Sequence, residues 1–274
     1  MQKSELLALY DREQRIELRL PGMVYEQAGR VLRDTSLEEG AGFIDYAWLD
    51  AGCADAEIEA QVAHYAALGL PFTWKVYDHD QPADLRRRLA RRGFTTGQPE
   101  ALLILDLHTS GEGTALPAPD SRPQATSSQA GADGMVLQEV TDAAGLEDIL
   151  HLEDLVWQTP HQGLRQHLLI LLETSPDRLS LFAVRRSGQV IAAAWTLYSP
   201  GSQFARLLGG ATLPDYRRGG CYTALLAARL EQARQRGLRF LCVDASPMSQ
   251  PLLEKRGFEC LGFSTRCRWT PLNH

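Results

Sequence analysis

The stretch YRRGGCYTALL, Tyr216–Leu226, sets two arginines and two glycines directly before a run with helical spacing. Helix N-termini carry partial positive charge and ordinarily attract Asp or Glu, so Arg217 and Arg218 need another reason to stand there. Gly219 and Gly220 can take backbone angles closed to other residues and leave their amides uncovered. A helix start adds free N–H donors and a favourable dipole. These are the parts of an anion cradle, and the guanidinium forks of Arg217 and Arg218 suit outer phosphate oxygens. The alternative is a glycine-rich turn with solvated arginines.

Upstream lies FARLLGGATL, Phe204–Leu213, a strand; downstream a long helix runs through Arg236 to a stop at Gly237, followed by the apolar strand LRFLCVDA. Within the helix, Leu226, Leu230, Ala233 and Gly237 follow a three-four spacing, which leaves Arg229, Gln232, Arg234 and Arg236 for other faces. A strand, a helix and a second strand make a right-handed crossover and a locally parallel pair inside a mixed sheet. Earlier segments read as a strand (MVLQEV), a helix opened by Asp142 (DAAGLEDILHLEDLVW), a second helix (LRQHLLILLET) and a hairpin turning at Ser187-Gly188. A short helix, SQPLLEKRG, and a last strand pair around ECLGF and TRCRWT follow.

The first half echoes this ending. PFTWKVYDHD reads as a strand, ADLRRRLARRGF as a helix closing on Gly93-Phe94, and EALLILDL as a strand, with the helix DAEIEAQVAHYAALG before them. The pattern suggests a divergent duplication. The preceding LDAGCADAE is acidic and lacks an arginine-glycine turn. Leu85, Leu89 and Phe94 face inward at helical spacing, so the basic run RRRLARR reads as a solvated face.

Between the halves, residues 109–133 are dominated by Gly, Ser, Thr, Ala and Pro, too apolar-poor to offset their ordering entropy. This reads as a linker between domains at 1–108 and 134–274; an ordered surface excursion is the alternative. The 274 residues, 44% hydrophobic and 23% charged, suit a soluble globular protein, and the formal charge of -6 argues against a general nucleic-acid binder. The start lacks the apolar segment of a signal peptide, and no run spans a bilayer. Five cysteines without a CxxC pair fit reduced thiols in a cytoplasm.

Residues 134–271 resemble the GNAT superfamily of N-acetyltransferases, on the strength of TLPDYRRGGCYTALL, the helix ending at Gly237, and DASPMSQPLLEKRGF. The family's loop, Gln or Arg, two residues, Gly, one residue, then Gly or Ala, falls on Arg217, Arg218, Gly219, Gly220, Cys221 and Tyr222. Tyr222 departs from the small residue usual there; its side chain must point outward or onto the pantetheine arm. The resemblance implies two tandem GNAT-like domains, α/β, each a mixed, mostly antiparallel sheet flanked by helices, the N-terminal one degenerate. It also implies acetyl-CoA as co-substrate and no metal. Amides of Arg218 through Thr223, Cys221 among them, would hold the pyrophosphate. The backbone of Gly210, Ala211 and Thr212 would pair with the pantetheine arm and polarise the thioester carbonyl, and Asp244 stands where the family often has a cofactor-contacting Asn. The catalysis implied is positioning and oxyanion stabilisation.

The family's proton donor, a Tyr in the last helix, is replaced by Leu253, and FARLLGGATL offers no Glu as base. Asp244, Ser246, Ser249 and Tyr198 are substitutes to weigh, with ordered water. The loop WQTPHQGL sits where the family shapes its acceptor pocket, making Trp157, His161 and Gln162 candidate substrate contacts, or else parts of an ordinary loop. His151, His161 and His167 lack metal-ligand spacing. Cys221 lies where a thiol can be acidified, yet a small buried residue explains it as well. The expected function is acetyl transfer from acetyl-CoA to a primary amine, small or lysine-type. The alternatives are an acyl-CoA-sensing protein without catalysis and an interaction scaffold.

Overall fold

A computed structural model describes residues 1–36, 40–109, 134–158 and 162–271. Along the chain run α1 (Lys3–Tyr10), a π-helical turn (Asp11–Ile16), β1 (Val24–Ala28), β2 (Val31–Ser36), β3 (Ala41–Ala47), α2 (Ala54–Leu68), β4 (Phe72–Tyr77), α3 (Leu85–Arg91), β5 (Thr95–Thr96) and β6 (Glu100–Asp106). Then follow β7 (Met135–Val140), α4 (Ala143–Trp157), α5 (Gln162–Thr174), β8 (Leu179–Arg186), β9 (Gln189–Tyr198), β10 (Phe204–Thr212), α6 (Cys221–Gln235), β11 (Phe240–Ala245), α7 (Gln250–Glu254) and β12 (Glu259–Trp269).

The chain forms two compact units: one of Met1–Ile104, Asp244–Lys255 and Glu259–His274, the other of Leu105–Val243 and Arg256–Phe258. Residues 244–255 and 259–274 of the expected second domain thus group by contacts with the first half. The reason lies in hydrogen bonding: β12 pairs antiparallel with β4 through Ser264–Trp269 and with β6 through Glu259–Ser264. The expected terminal strand pair is this one strand, bulged between Cys260 and Gly262. From residue 110 onward the expected linker lies outside the described residues.

In the first unit the strand order is β1-β2-β3-β4-β12-β6, with β5 on β12. Its core gathers Ile44, Ile58, Tyr65, Phe72, Trp74, Leu85, Leu89 and Phe94. The inward spacing expected of Leu85, Leu89 and Phe94 is thus realised. Each such fully buried aliphatic side chain contributes roughly 1.5–3 kcal/mol. Helix α2 ends where Gly69 takes a left-handed φ of 68°.

In the second unit the order is β11-β10-β9-β8-β7. Asp142 caps α4 by accepting the Gly145 amide at 2.7 Å. The β8–β9 hairpin turns at Ser187 and Gly188, both at positive φ, the geometry a tight two-residue turn demands. Val190 through Tyr198 are all buried, so both faces of β9 are covered. Strand β10 runs parallel to β11, the crossover being made by α6. Among the described residues no helix is long and apolar enough to cross a membrane.

Candidate functional site

The site begins where β10 leaves its neighbours. It pairs with β11 only over Phe204–Arg206 and then diverges. Against β9, Gly209 faces Ala194 and Ala211 faces Ala193, so Gly210 is an extra residue, a bulge. Gly209 and Gly210 sit at φ 65° and 105°. A side chain at Gly209 would also stand 2.4 Å from the Trp195 ring. The bulge takes Gly210 out of the β9 register, while Ala211 and Thr212 still face Ala193 and Ala192 and the Thr212 carbonyl accepts from Arg217 Nε at 3.3 Å.

After β10, a short turn at Pro214–Tyr216 leads into the exposed loop Arg217–Gly220. Arg218 adopts a left-handed φ of 67°, a conformation that costs a non-glycine residue roughly 1–2 kcal/mol. Gly220, at φ 84°, is the N-cap of α6, and being glycine it puts no side chain on the helix start. The first-turn amides of Cys221, Tyr222 and Thr223 have no acceptor within the helix. No acidic residue occupies that turn. A third arginine joins Arg217 and Arg218: Arg256 Nη2 donates to Thr223 Oγ1 at 2.7 Å. Positive dipole, first-turn amides and the Arg256 guanidinium meet here, with Arg217 and Arg218 in the loop just before, a combination suited to a phosphate.

Two residues of α6, Tyr222 and Arg229, tie this helix to the β10 bulge. The Tyr222 ring lies over β10, its Cε2 4.0 Å from where a Cβ on Gly210 would be. It thus turns inward rather than to solvent. Burial pushes its phenol pKa up, against the pull of the Arg229 and Arg256 cations. Cys221 is 3% exposed, and burial raises its thiol pKa, partly opposed by its own backbone amide. This is a packed residue within the cluster of Phe182, Ile191 and Leu225 rather than an acidified nucleophile.

Arg229 corrects the helical-face reading: it is buried, not on an outer face. Its Nε donates to Leu225 O at 3.2 Å and its Nη1 to Leu208 O at 3.4 Å, with no carboxylate beside it among the described residues. Burial lowers its pKa to about 10, with Tyr222 and Tyr198 acting in the opposite direction.

Other expected site residues are dispersed. Asp244 groups with the first unit, its Oδ2 2.6 Å from Lys75 Nζ and its Oδ1 accepting from Ser264 Oγ at 3.0 Å. Trp157 is exposed at the end of α4 and donates Nε1–H to Glu153 Oε2 at 2.8 Å. His161 lies outside the described residues; Gln162 is the first residue of α5. Tyr198 pairs with Ala205, at the opposite end of the ladder from Thr212, and donates to Gln232 Oε1 at 2.9 Å. Ser246 and Ser249 bond one another beside the short α7. Leu253 is fully buried. Arg229 and Arg256 were missed by sequence reasoning. The signal available for Arg256 was its place in EKRGF, just before the closing glycine; for Arg229 it was a helical spacing shared with Leu225 and Leu226.

Residues 146–258 match the family model of the Acetyltransferase (GNAT) family. A search of curated proteins found no match. Among solved structures, a GCN5-related N-acetyltransferase from Kribbella flavida aligns over 99% of this chain and 95% of its own, with 15% identity and a TM-score of 0.65. A tandem GNAT protein from the clavulanic acid biosynthesis pathway aligns over the same shares, with 14% identity and a TM-score of 0.60. At such identities the likeness carries the fold. Residues 146–258 are thus similar to the GNAT acetyltransferase family, and the chain as a whole shares the fold of tandem GNAT proteins.

Proposed function

We propose that this protein transfers the acetyl group of acetyl-CoA to a primary amine, by direct attack within a ternary complex. The observation that carries the reading is the uncapped N-terminus of α6, preceded by the left-handed Arg218 and flanked by the Gly209–Gly210 bulge. Amides from Arg218 to Thr223 would hold the pyrophosphate, with Arg217, Arg218 and Arg256 balancing its charge. Hydrogen bonds of this charge-assisted kind contribute about 1.5–3 kcal/mol each. The backbone of Gly210, Ala211 and Thr212 would orient the pantetheine arm. When bound, acetyl-CoA supplies the thioester that the amine attacks.

Trp157, His161 and Gln162 are proposed acceptor contacts. The net charge of -6 favours a cationic acceptor. The five free cysteines suit the cytoplasm, where we place the protein. Asp244 is committed to Lys75 and Ser264, which leaves the cradle to the loop and β10.

A second reading is an acyl-CoA sensor without catalysis. It is favoured by Leu253, which cannot protonate a leaving thiolate from inside the core. Thiol release from acetyl-CoA, followed over a panel of polyamines, aminoglycosides and lysine peptides, separates the two. Turnover with any amine supports the enzyme, binding without turnover supports the sensor, and neither leaves an interaction scaffold.

A further inference from the structure

The first unit repeats the geometry of the second but fills it from within. Strands β3 and β4 run parallel over Gly42–Ile44 and Phe72–Trp74, then part, as β10 and β11 do after three paired residues. Into this parting the π-helical turn Asp11–Ile16 sends Arg15, whose side chain is 1% exposed. Its Nε donates to the backbone carbonyl of Asp45 at 2.8 Å, on β3 one residue past the last paired position. Its Nη1 donates to Asp11 Oδ1 at 2.7 Å, and its Nη2 to Asp80 Oδ2 at 2.9 Å, just beyond β4. His79 Nε2 lies 3.3 Å from Nη1 and 3.0 Å from Asp11.

Two rings close the arrangement. The guanidinium carbon sits 4.0 Å from the Tyr77 ring centroid and 4.7 Å from that of Tyr46. Asp45 Oδ1, buried and without a hydrogen-bond partner among the described residues, stands 3.9 Å from Arg15 Nε as a further counter-charge. Two carboxylates and a backbone carbonyl accepting its N–H groups, a third acid nearby and two aromatic faces together suit a planar guanidinium. The helix start of this unit is filled in the same manner. Asp50 Oδ1 accepts the amides of Gly52 at 2.8 Å and Cys53 at 2.9 Å immediately before α2. A carboxylate of the chain thus holds the place that a phosphate would take before α6.

We propose that the parting of β3 and β4 is a guanidinium-binding cage that the chain fills with its own Arg15, locking the first unit and leaving one acyl-donor site per chain. The first clause stands on the first unit alone; the count of one rests on the acetyl-CoA reading of the α6 loop.

The test is chemical rescue of Arg15→Ala in the full chain. Removing the guanidinium leaves the acidic groups facing an empty cage, so the melting temperature falls by about 5 °C or more. Methylguanidinium at about 10 mM restores at least half of that loss by mass action, while methylammonium and sodium chloride at equal concentration do not, and wild type is unmoved. Should Arg15→Ala not fold in plain buffer, recovery of folded protein with methylguanidinium in the refolding buffer is the same readout. An undiminished melting temperature, or equal rescue by all three salts, overturns the cage. Calorimetric titration of wild type with acetyl-CoA is expected to give one site. Two sites overturn the lock; none overturns the reading of the α6 loop, and the rescue then still decides the cage.

Discussion

Arg229 Nη1 lies 3.4 Å from the carbonyl oxygen of Leu208, the residue that leads into the Gly209–Gly210 bulge. A buried guanidinium without an acid partner is costly, and removing such a charge in favour of an apolar residue is often neutral for folding. Its hold on the bulge is the compensating gain. Arg229→Met is therefore expected to keep its melting temperature within about 3 °C, with about 1 kcal/mol lost at the freed carbonyl. Acetyl-CoA affinity is expected to fall about tenfold as the bulge relaxes, which calorimetry reads.

Gly209→Ala carries two penalties. A methyl group there meets the Trp195 ring at 2.4 Å, and the residue sits at φ 65°. Overpacking costs about 1–3 kcal/mol and the left-handed conformation about 1–2 kcal/mol more. Thermal denaturation is expected to show a loss of about 5 °C or more. An unchanged transition would mean that β10 accommodates Trp195 otherwise than described.

Cys221 makes a kinetic case. Its thiol is buried and its pKa raised by that burial, so little thiolate forms near neutral pH. Cys53 and Cys260 are partly accessible. Mass-spectrometric mapping of iodoacetamide labelling in native protein is expected to show Cys221 modified at least about tenfold more slowly than either. Faster labelling would reopen a nucleophilic role for it.

How legible was all this beforehand? The hairpin at Ser187-Gly188, the Asp142 cap and the glycine stops of α2 and α6 are local chemistry, and local sequence carries them. The loop from Arg217 to Gly220 is local too. Partners distant in sequence escaped. Nothing in ECLGFSTRCRWT says that this strand pairs with β4, because alternation fixes which face is buried but not which edge is joined. Lys75 and Asp244, 169 positions apart, gave no hint of their ion pair. Arg229 was misplaced because arginine is read as a surface residue unless its acceptors are known, and here they are backbone carbonyls. The same blindness hid Arg15 inside a charged N-terminal segment.

The most direct test of the central claim is calorimetric titration of acetyl-CoA into wild type and Gly220→Val side by side. A Cβ at Gly220 meets nothing within 4 Å among the described residues, and the φ of 84° opposes the substitution by about 1–2 kcal/mol. The variant is expected to stay folded while the helix start it caps loses its open geometry. Saturable micromolar binding by wild type, weakened at least about tenfold in Gly220→Val, is the result expected of a phosphate cradle at the α6 N-terminus. Equal binding by both proteins, or none by wild type, would contradict it.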